Sequence, residues 1–130
     1  MIVIDASVVL ELLLRTPAAE AVERRVFKIG ETLHAPHLLD IEVVQVLRRY
    51  AARGELSAHR GRLAIAILAQ FPIMRYGHEP LLPRIWTLRT NLTAYDAAYV
   101  ALAEGLDCPL LTRDQRLAVA PGARGRAQLI

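Results

Sequence analysis

A single cysteine, Cys108, is all the thiol chemistry in this chain. That excludes an internal disulfide framework and a cysteine-built zinc site, and it suits a reducing compartment. Long apolar runs are missing too. The longest, Leu63 to Ala69, falls far short of a membrane span. The opening Met1 to Asp5 has no basic leader, and an aspartate interrupts its apolar run too early for a secretory signal. Lysine is nearly absent: Lys28 is the only one among 16 basic residues, and the rest are arginines. The guanidinium fork suits phosphate, but an Arg-rich composition follows equally from a GC-rich genome, so a net charge of +3 assigns no partner. His34, His37, His59 and His78 are scattered without ligand spacing, which predicts surface or capping roles.

What is present is a chain of 130 residues, 54% hydrophobic, which reads as one domain over 1–130 able to bury its own core. Ile2 to Ile4 is a β-branched run with the look of a buried parallel strand. A short helix over Ser7 to Leu14 follows. Thr16 and Pro17 predict a helix start, and Gly30 its end. A helix from about His37 to Arg53 carries Leu39, Val43, Val46, Leu47 and Tyr50 at helical spacing. Ser57 caps a further helix to about Gln70. Ile73 to Tyr76 is a candidate strand, Leu81 to Arg89 a helix, and Ala94 to Glu104 another helix, capped by Thr93. Pro109 to Thr112 is a third strand, Arg116 to Val119 a helical turn, and Ala127 to Ile130 an edge strand. Strands separated by helices predict an α/β fold with three layers: a mostly parallel central sheet with helices on both faces.

In such sheets ligands bind beyond the carboxyl ends of the strands. Asp5 directly follows the first strand, and Asp114 follows the Pro109 to Thr112 strand by two residues. Glu42 and Asp96 stand near helix starts, which tend to share that rim. Each acid alone reads first as structure. Asp5 and Asp114 can cap helices, Thr93 and Asp96 have the spacing of a capping box, and Glu42 suits a helix N-terminus. Together they read differently. Several carboxylates on one rim repel one another unless a cation joins them. Hard oxygen ligands suit Mg²⁺ or Mn²⁺, and such a cluster can activate water for phosphodiester hydrolysis.

Four blocks carry a resemblance: Ile2-Val3-Ile4-Asp5-Ala6-Ser7-Val8-Val9, Ala35-Pro36-His37-Leu38-Leu39-Asp40-Ile41-Glu42-Val43, Leu92 to Ala103 around Asp96, and Pro109 to Leu117 around Asp114. In this order and at this length the chain resembles the PIN-domain family and, within it, the VapC toxins of prokaryotic toxin–antitoxin pairs. The resemblance implies that Asp5, Glu42, Asp96 and Asp114 form an acidic pocket. Asp5, Asp96 and Asp114 would ligate Mg²⁺ or Mn²⁺, and Glu42 would complete the set or orient the attacking water. Ser7 and Thr112 fall where the family often has a small hydroxyl near the metal. It further implies endonucleolytic cleavage of RNA, cytoplasmic location, homodimerisation, and neutralisation by a cognate antitoxin whose tail covers the pocket. Many relatives carry an asparagine a few residues after the glutamate, where this chain has Gln45, Val46 and Leu47.

Other residues stay open. Asp40 reads first as a cap and only weakly as a metal helper. Arg113 could meet a substrate phosphate or a nearby acid. Tyr95 and Tyr99, four apart on one helix, could pack in the core or line an RNA groove. Trp86 suits the core or a dimer contact. Two other functions compete with the nuclease. A phosphorylated-aspartate domain would want a second aspartate at position 7, where Ser7 stands, or a late lysine, and none follows Lys28. A non-catalytic RNA- or partner-binding module would use its acids only as caps.

Overall fold

The computed structural model describes all 130 residues. It opens on β1 (Ile2–Ile4), α1 (Ala6–Leu14) and α2 (Ala19–Val26), then β2 (Leu33–Pro36), α3 (Leu38–Ala52), α4 (Ala58–Gln70) and β3 (Ile73–Tyr76). The second half runs through α5 (Leu82–Thr87), α6 (Ala94–Gly105), β4 (Leu110–Thr112), α7 (Gln115–Val119) and β5 (Ala127–Leu129).

All five strands are parallel, in the order β3-β2-β1-β4-β5. β1 is the central strand, and its three β-branched side chains are fully buried, as a strand covered on both faces requires. Its register sets Val3 beside Leu110 and Ile4 beside Leu111. The chain first steps outward from β1 to β2 to β3, then returns across the sheet to β4 and steps the other way to β5. Right-handed crossovers place helices of the two directions on opposite faces. Accordingly α1 to α4 pack on one another, while α6 crosses β1, β2 and β4 with α5 against it.

β2 was not expected from the sequence. Leu33-His34-Ala35-Pro36 has a histidine inside it and a proline at its end, neither of which favours a strand. His34 belongs there because it is buried with both ring nitrogens satisfied: Thr32 Oγ1 lies 2.8 Å from Nε2 and the Tyr76 hydroxyl 2.8 Å from Nδ1. The surface or capping role expected of it is corrected accordingly, and burial lowers its pKa. His78 does take a capping role, its Nε2 accepting the Leu38 N–H at the start of α3 at 3.0 Å.

Three other expectations shift. α2 starts at Ala19, not Pro17, with Ala18 as its N-cap, and it ends at Val26 well before Gly30. The Thr16 hydroxyl donates to the Glu11 carboxylate, and α2 begins without a side-chain cap. The helix expected over Leu81 to Arg89 is broken into α5 between two 3₁₀ turns, Glu79–Leu81 and Leu88–Thr90. Pro83 removes a backbone donor there. Trp86 is not in the core: it is 68% exposed, with the Arg89 guanidinium 4.4 Å above its ring. No helix is long and apolar enough to cross a membrane.

Candidate active site

The strand order reverses direction between β1 and β4, and the loops leaving those strands part there to open a crevice at their carboxyl ends. Asp5 stands at the end of β1 and Thr112 at the end of β4.

Asp5 is buried and acts as the N-cap of α1, in extended conformation, with Oδ1 accepting the Val8 N–H at 3.2 Å. Two hydroxyls hold it. Ser7 Oγ donates to Oδ1 at 2.5 Å, and Thr112 Oγ1 donates to Oδ2 at 2.5 Å. Each hydroxyl also accepts a backbone donor from the loop after β4: Ser7 Oγ takes the Arg113 N–H at 2.8 Å and Thr112 Oγ1 the Asp114 N–H at 2.9 Å. A hydroxyl has one proton, and a backbone N–H can only donate. Both hydroxyl protons must therefore point at Asp5, which fits it as an anionic acceptor. Burial raises the Asp5 pKa against the pull of these bonds.

The same loop carries Asp114, half-buried, whose Oδ1 caps α7 by accepting the Arg116 N–H at 2.8 Å. Asp96 lies in the first turn of α6, its backbone N–H bonded to the Thr93 cap at 3.1 Å. Glu42 comes from the second turn of α3 and accepts at Oε2 from the Tyr99 hydroxyl at 2.5 Å. Burial raises the pKa of both Glu42 and Asp96; Asp5 and Asp96 add repulsion at Glu42, and Asp114 adds it at Asp96. The Tyr99 phenol is itself pushed far up by burial and by Glu42, so it remains a donor.

All four carboxylates line one hollow of about 610 Å³. Its wall includes Ser7, Gln45, Arg49, Tyr95 and Tyr99 together with the apolar Leu10, Leu38, Ile41 and Val46. The capping roles expected of Asp5 and Asp114 are present, and they do not compete with the site. Capping engages Oδ1 of each, and both side chains still line the hollow. Asp40 stands elsewhere: Arg75 holds it through paired bonds of 2.8 and 2.9 Å, so it neither caps nor reaches the hollow. Arg113 turns its guanidinium to Glu11 at 3.3 Å and to the Ile130 carbonyl. Sequence reasoning missed Tyr99 as the partner of Glu42. The available signal was its position three residues after Asp96, which puts both on one face of α6.

The donor set is four carboxylates, hard oxygen ligands from four separate segments, with no thiolate or imidazole among the lining residues. It fits a small divalent cation such as Mg²⁺ or Mn²⁺ better than zinc. As the side chains stand, no three of them close into a finished ligand cage, as expected where uncompensated carboxylates repel.

Comparison with known proteins gives a consistent result. The PIN domain matches residues 2–123. Ribonuclease VapC12 of Mycobacterium tuberculosis is 43% identical over 130 residues, covering 100% of this chain and 99% of that protein. VapC ribonuclease Mb0985 of Mycobacterium bovis is 47% identical over 117 residues, 90% of this chain and 88% of its own. A solved toxin–antitoxin complex from Klebsiella pneumoniae shares the fold, with a TM-score of 0.65 at 18% identity over 100% of this chain and 96% of the other.

Proposed function

This chain belongs to the PIN-domain family, and from that membership we propose that it is a one-domain endoribonuclease, the toxin of a toxin–antitoxin pair, cutting RNA at the hollow formed by Asp5, Glu42, Asp96 and Asp114. The observation that carries the reading is the convergence of four carboxylates from β1, α3, α6 and the loop after β4 on one hollow.

Asp5, Asp96 and Asp114 would hold Mg²⁺ or Mn²⁺. A divalent cation bound there supplies charge for the phosphoryl oxygens and lowers the pKa of a water. The protein supplies position. Ser7 and Thr112 fix Asp5 in one orientation, so its carboxylate need not be ordered when substrate arrives. Tyr99 holds Oε2 of Glu42 and leaves Oε1 free to take the proton of the attacking water. The raised pKa of Glu42 makes it a better base than an exposed glutamate.

The partners follow from the same reading: RNA as substrate, a cognate antitoxin that covers the hollow, a cytoplasmic setting, and a second copy of the chain. Support for the antitoxin comes from the solved toxin–antitoxin complex that shares the fold. Leu82 and Trp86, both exposed on α5, give a second copy an apolar surface to use.

The test is incubation of purified protein with tRNA, rRNA and mRNA, in Mg²⁺, in Mn²⁺ and with chelator, followed by mapping of the cut ends. Discrete metal-dependent cuts that disappear in Asp5→Asn are expected. Chelator-resistant cutting, or full activity of Asp5→Asn, would count against the mechanism.

A further inference from the structure

The hollow extends beyond its acidic floor. On α3, Glu42, Gln45, Val46 and Arg49 all line it, at positions i, i+3, i+4 and i+7. This stripe carries the hollow two helical turns, about 10 Å, away from Glu42. Arg49 at its far end is the only basic residue lining the hollow, and it is exposed. The protein forms eight ion pairs, and Arg49 takes part in none of them. From α6 the hollow is lined by Tyr95. Its ring is 61% exposed and stands next in sequence to Asp96. One turn further along α6, Tyr99 is buried and bonded to Glu42, so the two tyrosines of this face do different things.

We propose that Arg49 and Tyr95 form a subsite for the nucleotide flanking the cut in single-stranded RNA, the guanidinium taking its phosphate and the ring stacking its base. The inference rests on the nuclease reading and names residues that position the substrate of that same site. The charge order supports it. A phosphate at the acidic floor requires the bound cation, whereas a neighbouring phosphate two turns away needs a cation of the protein's own. Arg49 has a planar fork that fits a phosphate and no internal partner to give up. An exposed tyrosine beside the carboxylates gives a base of any identity a face to stack on. Gln45, between Glu42 and Arg49 on the stripe, has its Oε1 taken by Arg48 and its amide N–H₂ left to donate to a base edge.

Binding is measured on full-length Asp5→Asn protein, which holds RNA without cutting it, by fluorescence anisotropy with labelled single-stranded RNA of randomised sequence over a range of salt. Arg49→Gln in that background should weaken binding and lower the slope of log affinity against log salt by about 0.7, the share of one phosphate on a single strand. Tyr95→Ala should weaken binding roughly five- to a hundredfold with the slope unchanged, and Tyr95→Phe should restore it. Both side chains are exposed, so neither change threatens the fold. In the otherwise wild-type enzyme, Arg49→Gln should raise KM on a cut RNA and leave kcat near its original value. If the wild-type enzyme cuts RNA but Arg49→Gln leaves KM and the salt slope unchanged, or Tyr95→Ala leaves the affinity unchanged, the subsite is overturned and the stripe is left to a protein partner. If the wild-type enzyme cuts nothing, the nuclease reading itself has failed.

Discussion

The two sides of the hollow hold their carboxylates in different ways. Asp5, on the strand side, is buried and held at three points: two hydroxyls and a backbone N–H donate to it, and the hydroxyls are pinned by the next loop. Glu42 and Asp96, on the helix side, are half-buried, and Glu42 has a single side-chain partner. The strand side fixes a point in space, and the helix side keeps room to adjust around it. A site that takes up a cation needs both, since four rigid carboxylates would repel with no way to relax, and four loose ones would have to be ordered on each binding.

The largest expected effect tests that asymmetry directly. Asp5→Glu should lower RNA cleavage by more than about a hundredfold, beyond what groups around a metal site usually cost. The longer side chain has no room between Ser7 and Thr112. Asp96→Glu should stay within about tenfold of wild type, because its half-open position tolerates the extra methylene. Equal losses in a cleavage assay would break the comparison.

Thr112→Val comes next. It keeps the shape but removes the donor to Asp5 and the acceptor for Asp114 N–H, in a fully buried place. Activity should fall about 10- to 100-fold, and urea unfolding should show a loss of about 1–3 kcal/mol. Ser7→Ala, at a half-buried position, should cost less on both measures.

Tyr99→Phe removes the hydrogen bond that holds the Glu42 pKa down. Glu42 would then stay protonated to higher pH, so the acid limb of the pH–rate profile should move upward. A profile that does not move would detach Tyr99 from the chemistry.

The smallest effect concerns stability without metal. The Asp96 pKa is higher in the folded protein than its ordinary value of 3.8. Its ionised form therefore costs stability at neutral pH, and the cost vanishes below the unfolded value, where both states keep the proton. Asp96→Asn should raise the Tm of metal-free protein at pH 7. The gain should shrink as the pH approaches 4. A scan showing no gain at pH 7 would mean the repulsion is already relieved.

Much of this was readable from local pattern. The β-branched run at Ile2 to Ile4, the span Ile73–Tyr76 and the helix after Thr93 came out as expected, because each is set by neighbours a few residues apart. The four acids were found from their places after strands and at helix starts. What escaped depends on partners far along the chain. β2 is a strand because it pairs with β1 and β3, and Tyr76, 42 residues on, satisfies its histidine. Asp40 is neither cap nor metal helper because Arg75 lies 35 residues on, and Glu42 is held by a tyrosine 57 residues later. No periodicity reports such pairs.

The doubly bonded hydroxyls have a spectroscopic consequence. A proton arriving on Asp5 would weaken the acceptor that orients Ser7 Oγ and Thr112 Oγ1, and the N–H groups of Arg113 and Asp114 would feel the change at once. Two backbone amide resonances thus become gauges of the ionisation of a side chain that solvent barely reaches, and they can be followed through a titration without labelling the carboxylate itself.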